Sequence, residues 1–288
     1  MTAGSPTDSM HFEDFRVGQT FTSPARRITQ EDLEAFIALS GDGGLIHRDS
    51  AYARANGFAG PVVHGPLGIA VTFGLLFEQR IVEPTAIAML DLDWQFRGPI
   101  VVGDELSSTM TITRRRRSST RQAGILGRHF SLRKGDGAVV QEGTSALLVQ
   151  ARDETPAPDW IATDFCSTAW AELLLSRLAD SAGFQEATGA FDGGVALAAG
   201  REVVQFRIYK GRIIDVGRSM PTAPRFTLSG AELAWTGLVT SSRNDFIART
   251  SRGEFSVSGN AYDYLRLTKA LVFLWDAVRD LARSEGGA

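Results

Sequence analysis

Ser40-Gly41-Asp42-Gly43-Gly44-Leu45-Ile46-His47, followed by Pro61-Val62-Val63-His64-Gly65-Pro66-Leu67-Gly68, is the stretch around which the chain is organised. A carboxylate and an imidazole five residues apart share a glycine-rich loop, and a second His-Gly opens an apolar run. An imidazole titrates near neutrality and a neighbouring carboxylate can orient it or accept a proton, so Asp42 and His47 are candidate acid/base residues. Glycines at 41, 43 and 44 allow a tight turn and close approach of the backbone to a ligand. The plainer alternative is an Asp that caps a surface turn with a His packed beside it.

Outward from this loop, Thr29 with Asp32 three residues on predicts the start of a helix whose apolar face is Leu33, Phe36, Ile37 and Leu39. It ends at Ser40-Gly41, because glycine readily takes the left-handed conformation that closes a helix. The Asp42 to His47 loop therefore hangs from a helix terminus. Before this helix, a strand is expected over Gln19 to Arg27. After the loop, Asp49 caps a short helix through Ala55, and a longer helix is expected from Pro66 to Glu78. Leu67, Ile69, Val71, Phe73, Leu75, Leu76 and Phe77 make the longer helix apolar nearly all round, which predicts that other elements wrap it.

A sheet is the expected wrapper. Four strands follow, near Ala86 to Phe96, Asp104 to Arg114, Gly124 to Arg133 and Ala138 to Val149, divided by turn residues such as Arg97-Gly98-Pro99 and Lys134-Gly135-Asp136-Gly137. Residues 153–159, with Pro156 and Pro158, read as a linker. Beyond it a second domain is expected over 160–284, with a long helix from Trp160 to Ala182. Strands are expected at Glu202 to Tyr209, Arg212 to Val216, Phe226 to Leu228 and Glu254 to Ser258, then a closing amphipathic helix from Ala261 to Arg283. Both domains read as α+β.

Composition narrows the function. The 288 residues are 43% hydrophobic and 22% charged, with a net charge of -3, which argues against a dedicated nucleic-acid binder. The single cysteine, Cys166, excludes an intramolecular disulfide and favours a reducing, cytoplasmic setting. Residues 1–9 lack a basic segment followed by an apolar core and read as a disordered tail rather than a secretory signal. The longest apolar stretch, Val62 to Phe77, is too short to predict a membrane span. Four histidines and one cysteine assemble no convincing metal site, and no phosphate-cradling glycine motif is present. No metal and no cofactor are expected.

Over residues 10–152 the sequence resembles the MaoC-like acyl dehydratases, also called R-specific enoyl-CoA hydratases or hydratase 2. The family signature Gly-Asp-x-Asn-Pro-(Leu/Ile)-His corresponds to Gly41-Asp42-Gly43-Gly44-Leu45-Ile46-His47, with the Asp-to-His interval kept. Two further segments match: Gly57-Phe58-x-x-Pro61-Val62-Val63-His64-Gly65, and Phe96-Arg97-Gly98-Pro99 through Gly103-Asp104. The resemblance implies a hot-dog fold, an antiparallel sheet around a central helix. It also implies a hydro-lyase acting on a 2-enoyl or 3-hydroxyacyl thioester. Asp42 and His47 would activate the added water, the backbone N–H of Gly65 would face the thioester oxygen, and Gly44 and His64 would contact substrate. Where the family has Asn-Pro, this chain has Gly44-Leu45, so a loop-ordering amide and a stiffening proline are missing. The competing interpretation is a non-catalytic acyl-thioester or lipid binding protein.

Two further expectations concern ligands. Arg114 and Arg116 share one side of the run Arg114-Arg115-Arg116-Arg117 and are candidates for the phosphates of coenzyme A, although a charge run is more often a solvated strand end. Residues 160–284 resemble the sterol carrier protein 2-like fold in Val204-x-Phe206-x-Ile208-x-x-Gly211-x-Ile213, in Phe226-x-Leu228-Ser229-Gly230 and in Gly253-x-Phe255-x-Val257-x-Gly259-Asn260. That resemblance implies an apolar ligand tunnel, which Trp235, Phe246, Leu271 and Trp275 would line unless they fill a solid core. A lone hot-dog repeat leaves a sheet edge open, so a homodimer is expected.

Overall fold

The structure is a computed structural model that describes residues 9–152 and 158–285. The expected tail and linker fall outside the described residues, apart from residues 9, 158 and 159. The chain divides into two compact units: Met1–Phe15, Gln19–Ile112 and Ser118–Glu154 form the first, and Arg16–Gly18, Thr113–Arg117 and Thr155–Ala288 the second. The units divide near the expected linker, with two short segments, Arg16–Gly18 and Thr113–Arg117, grouping with the second.

In the first unit the segment expected as one strand is two, β1 (Thr20–Thr22) and β2 (Arg26–Arg27), interrupted around Pro24. Helix α1 (Gln30–Ser40) starts as its capping box dictates. The Asp32 N–H donates to Thr29 Oγ1 at 3.2 Å and the Thr29 N–H donates to Asp32 Oδ2 at 2.9 Å. Gly41, with φ of 75°, closes the helix by donating to the Ile37 carbonyl. Two short helices follow, α2 (Leu45–Arg48) and α3 (Ser50–Ala55), the second capped by Asp49. Helix α4 (Gly65–Phe77) is next, with Pro66 in its first turn, where a missing N–H removes no intrahelical bond.

Four long strands complete the unit: β3 (Ala86–Phe96), β4 (Glu105–Arg117), β5 (Ala123–Lys134) and β6 (Val139–Gln150). Among the described residues the sheet order is β1-β4-β5-β6-β3, with β2 also on β4. The β5–β6 and β6–β3 pairs are antiparallel. Leu67, Val71 and Leu75 of α4 pack with Ile100, Leu106, Leu132 and Val140, so an apolar helix sits on a sheet as in a hot dog. Burial of each such side chain contributes about 1.5–3 kcal/mol. The helix is not wrapped all round, however: Pro66, Ala70, Gly74 and Phe77 are exposed.

In the second unit the expected long helix is broken. A 3-10 turn at Pro158–Thr163 is followed by α5 (Thr168–Ala179) and α6 (Ala182–Thr188), each begun by a serine side chain, Ser167 and Ser181. Cys166 takes a positive φ of 63°, which no helix interior accommodates. Strands β7 (Asp192–Ala199), β8 (Glu202–Tyr209) and β9 (Arg212–Gly217) are followed by β10 (Phe226–Gly230), α7 (Glu232–Thr240) and α8 (Phe246–Ser251). Strand β11 (Phe255–Gly259), α9 (Ala261–Arg266) and α10 (Thr268–Glu285) end the unit. Its sheet runs β11-β10-β7-β8-β9, with β10 and β7 parallel.

Trp235, Phe246, Leu271 and Trp275 take the solid-core alternative, Leu271 also bordering a small apolar void. All four are buried in one core, where the Trp235 and Trp275 rings meet at 4.8 Å and Phe246 lies 4.9 Å from Trp275. Large aromatic side chains bury more area against one another than against an open channel, and the core takes them.

Candidate active site

The closure of α1 at Gly41 delivers Asp42 to the start of α4. Asp42 is exposed, its N–H donates to Ser40 Oγ, and its Oδ1 accepts from the Gly44 N–H at 3.3 Å. That last bond closes the turn at the position where the family's Asn-Pro is absent. The Val62 N–H donates to the Ile46 carbonyl at 3.0 Å, tying α2 to the segment that leads into α4.

The two histidines are held by carbonyls. His47 Nδ1 lies 2.6 Å from the Val62 carbonyl oxygen, and His64 Nε2 lies 2.9 Å from the Asp42 carbonyl oxygen. A carbonyl only accepts, so each of these nitrogens carries its proton. In neutral His47 the remaining Nε2 is then a lone-pair acceptor, the form a general base requires. His64 Nε2 is also 3.6 Å from Asp42 Oδ2. The two imidazoles stack at 3.6 Å with 20° between their planes, and Phe36 lies 5.0 Å from His64 on α1.

One ligand-type atom from each of Asp42, His47 and His64 lies within 4.8 Å of the others. That spacing suits a water molecule held between two groups, since each hydrogen bond spans about 2.8 Å. It suits a metal less well. Stacked rings aim their in-plane lone pairs along nearly parallel planes rather than at one point, whereas a metal needs convergent donors.

Gly65 is the first residue of α4, so its N–H has no intrahelical acceptor and lies at the positive end of the helix dipole. Its carbonyl accepts from Gln141 Nε2 at 3.1 Å, and Gln141 Oε1 accepts from Trp94 Nε1 at 2.9 Å, which anchors the helix start to β6 and β3. A Cβ built on Gly65 would stand 2.6 Å from the Phe96 ring, so glycine is the residue that fits. Trp94, Phe96 and Gln141 are absent from the sequence-based list. Their signal is their phase: each lies in a strand that meets α4, but only the pairing of β3 with β6 brings them together.

Arg114 and Arg116, the candidate phosphate contacts, are both engaged by carboxylates. Arg114 is buried and pairs with Asp164 at 3.2 Å, while Arg116 pairs with Asp164 at 2.8 Å and Glu202 at 3.1 Å. Their forks are occupied by carboxylates within the second unit. Arg116, with its carboxylate partners close by, is held above the ordinary guanidinium value although burial works the other way. The exposed strand end expected for this run is a buried ion-pair network instead.

Fold and site together define a hot-dog domain with an Asp-His loop at the amino end of its central helix. The comparisons carry this further. The model of the MaoC like domain matches residues 14–129. The (R)-specific enoyl-CoA hydratase of Rhodospirillum rubrum is 31% identical over 103 residues, which are 36% of this chain and 69% of that protein. The (R)-specific enoyl-CoA hydratase of Aeromonas caviae is 32% identical over 104 residues, 36% of this chain and 75% of that protein. A solved MaoC domain protein of Chloroflexus aurantiacus J-10-fl superposes with a TM-score of 0.50 at 26% identity, covering 54% of this chain and 45% of that one. Through its first unit, this chain belongs to the MaoC-like family.

Proposed function

We propose that the first unit catalyses the reversible addition of water to a 2-enoyl thioester of coenzyme A, giving the R-3-hydroxyacyl thioester. Asp42 and His47 hold the water between them. His47 Nε2 takes a proton as the water oxygen bonds to C3 and electrons move onto the thioester oxygen beside the Gly65 N–H; as those electrons return, the same proton passes from His47 Nε2 to C2, which restores the neutral imidazole. A donor aimed at a developing oxyanion contributes about 3–4 kcal/mol to the transition state, and a positioned general base about 10²–10⁴ in rate.

The observation that supports this most is the Val62 carbonyl on His47 Nδ1, which leaves Nε2 as the base, on a ring with a nitrogen within 4.8 Å of an Asp42 carboxylate oxygen. The test is hydration of crotonyl-CoA and longer 2-enoyl-CoAs by wild type and Asp42→Asn. A thousandfold excess of wild type over the variant is expected, and equal background rates in both would leave only the binding-protein interpretation.

The active unit is read as a homodimer. Strand β3 ends the sheet order and exposes Ile87, Met89, Leu90 and Leu92 on both its faces, an edge that favours pairing with a second copy. The second unit is read as sterol carrier protein 2-like, on the order of its sheet and the helices sharing its core. Its aromatic interior is closed, so an apolar ligand would enter at the roughly 260 Å³ cavity between Leu175, Leu178, Phe184 and Ile213. Displacement of a fluorescent fatty acid, blocked by Ile213→Trp, tests that role. The lone buried Cys166 supports a reducing, cytoplasmic setting.

A further inference from the structure

At the opposite end of α4 from the Asp-His loop lies a cavity of about 380 Å³, walled by Phe15, Phe73, Met110, Leu126, Phe130 and Leu147 among others. At 1.5 Å per residue, its helix wall at Phe73 and Gly74 is about 12 Å along α4 from Gly65. Two arginines line this apolar space: Arg80 at its exposed rim, and Arg128 of β5, with 7% of its surface exposed. On this strand Leu126, Arg128 and Phe130 share the inward face, so the arginine stands in phase with core residues.

The guanidinium is incompletely satisfied. Nη2 donates to Ser145 Oγ at 2.6 Å, Nε is buried without an acceptor, and no carboxylate among the described residues forms an ion pair with it. Asp91 acts on it only through its field, and Asp91 Oδ1 accepts the Ala146 N–H. The Phe73 and Phe130 rings lie under the cation at 5.9 and 5.1 Å. Burial holds its pKa down to about 10, with the Asp91 charge opposing. An isolated buried charge is expensive, and a leucine or methionine at this inward position would avoid the expense. At the rim the exposed Glu83 and Arg80 stand 3.9 Å apart and pair with each other.

We propose that this cavity binds an apolar chain or ring that ends in a carboxylate or similar anionic oxygen group, with Arg128 as its counter-ion. The planar fork presents donors that pair two oxygens at once, the Phe73 and Phe130 faces hold it flat, and the remaining walls contact hydrocarbon. The occupant is either the far end of the thioester substrate or a separate apolar carboxylate. The chemistry recognised is the same in both, and the proposal stands on the cavity whether or not the unit is a hydratase.

The test is calorimetric binding of decanoate and decan-1-ol to the full-length protein. Wild type should favour decanoate at least about tenfold, the range of a hydrogen bond to a charged group. Arg128→Met should fold, melt no lower than wild type and lose that preference. Gly74→Leu, at a helix position that borders the cavity and where an added Cβ meets nothing within 4 Å, should weaken both ligands. No preference in wild type, a preference surviving Arg128→Met, or binding untouched by Gly74→Leu overturns the proposal.

A second arm identifies the source. Carboxylate-ended and methyl-ended 2-enoyl-CoAs of equal length are compared in kcat/KM. A carboxylate preference that Arg128→Met removes makes the occupant the substrate's own tail, and equal values with decanoate still bound make it a separate ligand. Absence of hydration with both thioesters while decanoate binds counts against the hydratase reading and leaves the cavity assignment supported.

Discussion

His47 and His64 stack face to face, ring centroids 3.6 Å apart, although one belongs to the short helix α2 and the other caps α4. The stack joins the two segments of the site, and the carbonyls of Val62 and Asp42 orient its two rings from opposite ends. A platform of this kind fixes where His47 points.

His64→Phe keeps a stacking ring and removes the N–H that holds the Asp42 carbonyl. Asp42 then loses its tether while His47 keeps its own. We expect kcat for enoyl-CoA hydration to fall about 10- to 100-fold, the size of effect a displacement near 1 Å produces, with thermal stability little changed. An unchanged kcat would remove His64 from the positioning of the site.

Sedimentation reads the β3 edge. Wild type is expected at the mass of a dimer, and Met89→Arg, which sets a charge on a half-exposed apolar strand position, at that of a monomer. A monomeric wild type would contradict the edge-pairing model.

Gly68→Ala sets two effects against each other. Alanine in a helix interior normally stabilises by about 0.5–1 kcal/mol. Here the added Cβ would land on the buried Gln141 amide, which bridges Trp94 to the Gly65 carbonyl. Overpacking costs about 1–3 kcal/mol, so the clash should win. Chemical denaturation should show a net loss, whereas a gain would mean that the Gln141 bridge yields freely.

Burial pushes the Cys166 thiol well above its ordinary value, while the Arg114 charge pulls the other way. The folded state therefore keeps a proton that the unfolded state releases, and this group's contribution to stability falls as pH rises above the ordinary thiol range. At pH 8, alkylation followed by mass spectrometry should label Cys166 slowly in native protein and rapidly in denaturant. Equal rates would show that the thiol is accessible.

Much of the first unit is legible in the sequence, for reasons visible at particular residues. Strand β3 was expected over the same residues that form it, and β4, β5 and β6 to within three, because glycine turns bracket runs that alternate. Thr29 and Asp32 announce α1 through local bonds alone. What local chemistry does not encode is legible less well. Strand β7, with Gly193, Gly194 and three alanines, carries neither β-branched enrichment nor alternation, since six of its consecutive residues are buried. The break at Cys166 and the ion pairs of Arg114 and Arg116 depend on partners about 50 or more residues away. Arg128 is readable: its period of two with Leu126 and Phe130 sets it on the inward face of β5.

The site itself divides in the same way. The Asp42 to His47 interval and the His64-Gly65 helix start stand in the sequence, whereas the Val62 carbonyl on His47 and the stack on His64 arise from the fold.

A double-mutant cycle on enoyl-CoA hydration, with Asp42→Asn, His47→Ala and the pair, tests most directly whether these two side chains act on one water. Each single change should lower kcat/KM by about 10²–10⁴, and the double variant should be no more than a few-fold slower than the worse single one, since groups that act as a unit are not additive. Losses that multiply, or single variants as fast as wild type, would contradict a shared water between Asp42 and His47.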